Sequence, residues 1–263
     1  MLLAIDLGNS ETRVGVWDGI AWLAIWRCPT TPSWTVNDVA NWLETQLDES
    51  LPEAAFAGAI LASVVPAATA AMIQAVIQIT ECVPLLLAPD PALGMRIRYD
   101  PPNSLGADRL ANALAAKAKF TLPVLVVDIG TATTFEAVDA SGAFVGGGIM
   151  PGPALSAAAL ARGTAALPEA ALEMPPHAIG GSTMEALQSG IMLGHAAAIQ
   201  GLTAQMVAEL GDGTTVIATG GLGDKFLPLC PILSGYYPAL TLDGLVLAFG
   251  LLAGAEGRVL NNG

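Results

Sequence analysis

The chain carries one chemically suggestive pattern twice. Residues 3–16 read Leu-Ala-Ile-Asp-Leu-Gly-Asn-Ser-Glu-Thr-Arg-Val-Gly-Val, and residues 125–138 read Leu-Val-Val-Asp-Ile-Gly-Thr-Ala-Thr-Thr-Phe-Glu-Ala-Val. In each copy an apolar run ends in Asp-aliphatic-Gly, a small hydroxyl or amide residue follows, and a Thr stands six positions after the Asp, Thr12 after Asp6 and Thr134 after Asp128. The Asp supplies a hard carboxylate oxygen, suited to magnesium, to a coordinated water or to an alkali cation. The Gly lets the backbone turn sharply enough to aim N–H groups outward, where they suit phosphate oxygens. A single copy reads as well as a plain turn between two strands. Two copies in register favour a grip on a phosphorylated, metal-bound ligand from two sides.

Such turns need rigid strands behind them. The apolar runs Leu2 to Ile5 and Val124 to Val127 have the character of central strands. In the first half, further strands follow at Thr12 to Trp17 and, after an Asp18-Gly19 turn, at Ala21 to Trp26; Val36 to Leu47 has helical periodicity. The stretch from Ala54 to Thr80 carries no charge. Pro66 divides it into a strand, Ala59 to Val65, and a helix starting near Ala67, which argues against a membrane span. A short strand is expected at Pro84 to Leu87. The second half repeats the order: strands at Val124 to Asp128, Thr133 to Val138 and Gly142 to Gly146, a long helical tract, and a strand at Thr215 to Thr219. Between the halves, a Pro-rich loop from Tyr99 runs into a strong helix, Leu110 to Lys119. Hairpin-linked strands followed by alternating helix and strand indicate an α/β fold with mixed sheets flanked by helices, in two similar domains. The expected boundaries are 1–118 and 119–243, with a C-terminal helix, 244–263, packing back on the first domain.

Composition removes several classes of function. A net charge of −13, a pI near 4.3 and only ten scattered basic residues argue against a nucleic-acid surface. Cys28, Cys82 and Cys230 are odd in number, far apart and without Cys-x-x-Cys spacing, which excludes a disulfide framework and a zinc ribbon and suggests a reducing compartment. His177 and His195 are unpaired in sequence, so any metal should be oxygen-liganded; a surface position for His177 and a half-buried helical one for His195 are expected. Trp17, Trp22, Trp26 and Trp34 are read as core or interface residues, with core as the default. The N-terminus lacks a basic region and Asp6 interrupts its apolar start, so no signal peptide is expected, and a soluble, cytoplasmic protein is.

Asp6-Leu-Gly-Asn-Ser10, Tyr99-Asp-Pro-Pro-Asn-Ser-Leu-Gly-Ala-Asp-Arg109, Asp128-Ile-Gly-Thr-Ala132, Gly147-Gly-Ile-Met-Pro-Gly152, Ser182-Thr183 and Thr219-Gly-Gly221 occur in this order along nearly the whole chain. Together they resemble the motifs of type III pantothenate kinases. Those enzymes belong to the superfamily of actin, sugar kinases and heat-shock ATPases, built on a duplicated ribonuclease-H-like (actin-like ATPase) fold. The Leu-Gly-Ala-Asp-Arg element is the specific part, because Asp-x-Gly loops occur across the superfamily. The resemblance implies ATP-dependent phosphorylation of pantothenate to 4′-phosphopantothenate, the first step of coenzyme A biosynthesis. It further implies magnesium with ATP, a monovalent cation (potassium or ammonium), and a homodimer whose substrate pocket forms across the interface.

The same resemblance assigns roles to residues. Asp6, Leu7, Gly8, Asn9, Ser10, Glu11, Thr12 and Arg13 would cradle the ATP phosphates, with Asp6 holding magnesium through water; Thr131 and the Gly220-Gly221 turn would complete the nucleotide site. Asp128 would hold the monovalent cation. Tyr99, Gly106, Ala107, Asp108, Arg109 and Thr183 would bind pantothenate, and Asp108 would act as general base. Phosphoryl transfer to an alcohol needs a carboxylate within reach of the hydroxyl and positive charge on the transferred group. Asp108 and Arg109 supply both at a helix N-terminus, which itself favours anions. The plainer alternatives are an Asp N-cap with a surface Arg, and a simple strand-to-helix turn at Gly220-Gly221. Ser10 stands where the family commonly has Thr, and Met192-Leu193 where it commonly has aromatic residues. Two other functions fit the loops: a kinase of another small acceptor such as a sugar, weakened by the short first domain and the Tyr99 to Arg109 element, and a nucleotide-binding regulatory or accessory protein, opposed by the scarce basic residues and the complete set of acid-base and phosphate-binding residues.

Overall fold

Both Asp-x-Gly turns close antiparallel hairpins at the centre of a sheet. The computed structural model describes residues 1–260, and the chain divides into two compact units, Met1–Ala115 with the chain from Ala239 onward, and Ala116–Pro238.

The first unit contains β1 (Leu2–Leu7), β2 (Glu11–Trp17), β3 (Trp22–Pro29), α1 (Val36–Ser50), β4 (Gly58–Ser63), α2 (Pro66–Thr80), β5 (Leu85–Leu86) and the greater part of α3 (Ala107–Lys119). Its sheet runs β3-β2-β1-β4-β5, antiparallel across the hairpins and parallel from β1 through β4 to β5. Leu3, Ile5 and Leu7 alternate onto one face, where with Val14, Val16 and Leu61 they meet Val39 and Leu43 of α1 and Met72 and Val76 of α2. α1 starts at a capping box in which Thr35 and Asp38 satisfy each other's backbone N–H groups. α2 starts with Pro66 at its first turn, where a missing N–H costs nothing. The uncharged stretch from Ala54 to Thr80 therefore contributes a buried strand and a core helix.

The opposite face of this sheet carries the C-terminal helix, Leu240–Leu260. Its approach to α3 is close: a Cβ at Gly244 would overlap the backbone carbonyl of Ala111, and Thr241 Oγ1 donates to Asn112 Oδ1 at 2.8 Å. Trp22 Nε1 donates to Asp243 Oδ1 at 2.8 Å. Trp17, Trp22, Trp26 and Trp34 are all half-buried, and Trp26 and Trp34 pack against the core of this unit. Trp22 and Trp26 lie on β3, an edge strand, where a side chain is covered from one side only, and Trp17 packs edge-on against Trp22 with centroids 5.1 Å apart.

The second unit contains β6 (Val124–Ile129), β7 (Ala132–Val138), β8 (Phe144–Gly146), β9 (Ile149–Pro151), α4 (Pro153–Gly163), α5 (Thr183–Gln188), a π-helical turn (Ser189–Leu193), α6 (Gly194–Leu210), β10 (Thr215–Thr219) and α7 (Gly223–Phe226). The sheet order is β10-β6-β7-β8, with β9 also on β7, and β10 runs parallel to β6 as β4 does to β1. The continuous helical run Thr183–Leu210 is long and apolar enough to cross a membrane by length and composition, at 28 residues and mean hydropathy 1.2. Its apolar stripe, Leu187, Ile191, Met192, Ala196 and Ile199, packs on Leu125, Val127, Ile129 and Phe135 in the core of this unit. Met192 is 1% exposed, a flexible side chain that fills the core at this point.

Candidate active site

The first loop is Gly8–Ser10, between β1 and β2. Gly8 N–H donates to Glu11 O at 3.2 Å, and Asn9 and Ser10 stand exposed at the tip. Ser10 O accepts from Thr30 N–H at 3.0 Å, while the hydroxyls of buried Thr12 and half-buried Thr30 lie 2.8 Å apart. The loop is thus stapled to the end of β3, an arrangement with no local sequence signal. Asp6 is half-buried near the end of β1. Arg13, 9% exposed, donates from Nε to Glu11 Oε1 at 2.8 Å. Leu7 is fully buried in the core, so only its backbone is available to a ligand.

The second loop, Gly130–Thr131, is one residue shorter. Gly130 N–H donates to Ala132 O and Gly152 N–H to Thr131 O, each at 3.0 Å, leaving the Thr131 side chain exposed. The loop lengths change which threonines correspond, although Thr12 and Thr134 each stand six residues after their Asp. Leu7 pairs with Thr12 and Asp6 with Arg13, whereas Ile129 pairs with Thr133 and Asp128 with Thr134. Thr133 is thus the true counterpart of Thr12, both fully buried, and Thr134 matches Arg13. The Thr133 hydroxyl lies 2.8 Å from His195 Nε2. His195 is buried, 7% exposed, where half-burial was expected, and desolvation pushes its pKa down to about 4. His177 is exposed.

Asp128 shares its surroundings with the turn after β10. Gly220 has φ +89°, and a Cβ there would overlap Asp128 Oδ1 and the Ile129 backbone; Leu222 N–H donates to Ile129 O at 2.9 Å. Gly220 therefore packs its bare backbone directly against the Asp128 carboxylate. Gly221 is exposed beside it. Among the described residues no group of three or more His, Cys, Asp or Glu could hold a metal ion. A cation at Asp6 or Asp128 would thus draw on fewer than three such side chains, with backbone, water and ligand oxygens for the rest. Such an all-oxygen donor set suits a hard cation.

The third segment lies wholly in the first unit. α3 begins at Ala107, three residues earlier than expected, with Leu110 N–H donating to Gly106 O at 3.0 Å. Asp108 is therefore inside the first turn and is not an N-cap. Its Oδ1 accepts from Arg109 N–H at 2.8 Å. Burial pushes the Asp108 carboxyl above the ordinary carboxylate range, opposed by that hydrogen bond and by the Arg109 charge. Arg109 is no surface residue: it is 5% exposed, with its guanidinium carbon 5.7 Å from the centre of the Tyr99 ring. A desolvated carboxyl, a buried guanidinium and an aromatic side chain are held together here. Thr183, in the second unit, is exposed at the first position of α5, after Ser182, whose Oγ accepts from Glu185 N–H at 3.3 Å.

The family model described as type III pantothenate kinase matches residues 2–205. A type III pantothenate kinase of Phenylobacterium zucineum is 39% identical over 94% of this chain and 96% of its own length, and one of Gluconobacter oxydans is 40% identical over 94% and 92%. Among solved structures, a putative Baf family transcriptional activator from Campylobacter jejuni aligns with TM-score 0.53 at 16% identity, covering 96% of this chain and 99% of its own. MreB 5 of Spiroplasma citri bound to AMPPNP aligns with TM-score 0.51 at 11% identity, covering 99% and 98%. These structures bear on the fold alone, which is the duplicated actin-like α/β fold. With a family model spanning most of its length and relatives near 40% identity along almost all of it, the chain belongs to the type III pantothenate kinase family.

Proposed function

We propose that this chain uses ATP to phosphorylate pantothenate to 4′-phosphopantothenate, the reaction that opens coenzyme A biosynthesis. The observation that carries the reading is the Asp108-Arg109-Tyr99 cluster at the start of α3, which has the parts that transfer to an alcohol requires. Asp108 accepts the hydroxyl proton as the oxygen attacks phosphorus; its raised pKa makes it a stronger base than a solvated carboxylate. Arg109, held against Tyr99, meets negative charge on the substrate carboxylate or the transferred group. Asp6 to Arg13, Thr131, Gly220 and Gly221 bind the nucleotide through backbone N–H groups and hydroxyls. Magnesium accompanying ATP neutralises phosphate charge. Asp128 in its glycine cradle holds potassium or ammonium, adding positive charge to a site poor in Lys.

The functional unit is a cytoplasmic homodimer in which Thr183 completes the pantothenate pocket. Exposed Ile149, Leu155, Leu160 and Ile179 in the second unit give it apolar surface for such an interface. The test is ADP release from magnesium-ATP with and without pantothenate, in potassium and then in sodium buffer. Turnover should require pantothenate and rise with potassium. Asp108→Asn should lose roughly 10²- to 10⁴-fold in kcat while still binding nucleotide; equal rates for mutant and parent would remove Asp108 from the chemistry.

A further inference from the structure

Strand register sets two arginines against each other beside the first loop. Arg13 and Arg27 are direct partners across the β2–β3 pair, and Asp6 is the partner of Arg13 across β1–β2. Asp6, Arg13 and Arg27 thus form one row on one face of the sheet. Like charges directly opposite one another destabilise a sheet. The chain has only ten Lys and Arg against 23 Asp and Glu, so a cross-strand pair spends scarce cations where they repel.

Glu11 lies between them. Its Oε1 is 2.8 Å from Arg13 Nε, a charge-assisted hydrogen bond, but 3.8 Å from Arg27 Nη1, too long for one. The Arg27 side chain is 40% exposed, against 10% for Arg13, and among the described residues it forms no closer ion pair. Among the described residues, that 3.8 Å approach to Glu11 is the nearest acidic contact of the Arg27 guanidinium, whose planar fork of donors suits a phosphate. The strand beneath it is fixed, because Thr30, three residues on, donates its N–H to Ser10 O and pairs its hydroxyl with Thr12. Neighbouring strands lie about 4.8 Å apart, which puts Arg27 roughly 10 Å from Asp6 between Cα atoms, a gap that an arginine side chain and a phosphate chain laid along the row span together.

We propose that Arg27 is a phosphate ligand of the nucleotide site: its guanidinium engages the polyphosphate held at the Asp6 to Arg13 loop, and Glu11 orients it until phosphate arrives. This assignment rests on the nucleotide-binding reading above and adds to it a residue outside the loop motif. Binding of magnesium-ATP and of adenosine to the full chain would be titrated for the parent, Arg27→Ala and Arg27→Lys. Arg27→Ala should weaken magnesium-ATP about three- to ten-fold and make its affinity less salt-dependent, while adenosine changes by less than about two-fold. Arg27→Lys, which keeps the charge and loses the fork, should fall between. Unchanged magnesium-ATP affinity in Arg27→Ala, the behaviour of an ordinary exposed ion pair, would overturn the assignment. So would equal losses for magnesium-ATP and adenosine. A parent that binds neither compound would overturn the nucleotide reading as well, which separates that failure from failure at Arg27 alone.

Discussion

Asp108 works against the stability of the residue's own surroundings. Its carboxyl is raised above the ordinary value of 3.8 chiefly by burial, so the folded state holds this proton more tightly than the unfolded chain does. Stability from that source is present below the unfolded pKa and lost as pH rises through the folded one. At neutral pH the charged form is therefore a cost, and Asp108→Asn should melt higher than the parent even as it loses turnover. The same shift should place the acid limb of the kcat–pH profile above the ordinary carboxylate range, because the protonated base cannot accept the substrate proton. His195 has the opposite sign. Its pKa falls from 6.5 to about 4, so its contribution is present above about 6.5 and lost as pH drops towards 4. Thermal melts at pH 7 and pH 5 should show a smaller acid loss for His195→Gln than for the parent, and equal losses would mean that the ring does not sense solvent protons in this range.

At the scale of elements, the two hairpins differ in loop length and in what anchors them. The first is tied to β3 through Thr30, the second to α6 through Thr133 and His195 and to β10 through Gly220. α6 thus supports the second loop as well as filling a core. One of its buried groups is poorly served: Thr203 is fully buried and its Oγ1 has no hydrogen-bond partner among the described residues. A hydroxyl in that state pays for desolvation with nothing in return. Thr203→Val keeps the shape and removes the polar atom, and should raise stability by about 1 kcal/mol in denaturant titration. Destabilisation instead would show that the hydroxyl is satisfied in solution.

For the whole molecule the dominant physical fact is charge. A net −13 on 263 residues means self-repulsion in the compact state and repulsion of an anionic nucleotide. Arg13, Arg27 and Arg109 offset this locally where phosphate and substrate are proposed to bind. Screening the remainder should help the fold, so the melting temperature should rise between about 0.01 M and 0.15 M salt, over which the Debye length shrinks from about 30 Å to 8 Å. A melting temperature that is flat or falling over that range would mean that local ion pairs, not net repulsion, govern the electrostatics of folding. Magnesium-ATP affinity should fall over the same range, because the screened attraction at the loop is what binds it.

The sequence by itself determined the strands under both Asp-x-Gly turns, the division of the Ala54 to Thr80 stretch at Pro66, β10 to the residue, and the segments from which the candidate site is drawn. These are legible because backbone preference, apolar alternation and turn chemistry are written in contiguous residues. Local sequence places the start of α3 three residues late, since Gly106 and Ala107 carry little signal of their own, and so sets Asp108 and Arg109 before the helix instead of in its first turn. Only the tertiary structure decided which side chains meet. It moved the counterpart of Thr12 from Thr134 to Thr133, because strand register counts loop residues that a linear repeat ignores. It buried Arg109 against Tyr99, joined Thr133 to a histidine 62 residues away, left Trp22 and Trp26 half-covered on an edge strand, and set Arg27 opposite Arg13. Pairing and burial depend on which distant segments come together, and no local run of residues encodes that.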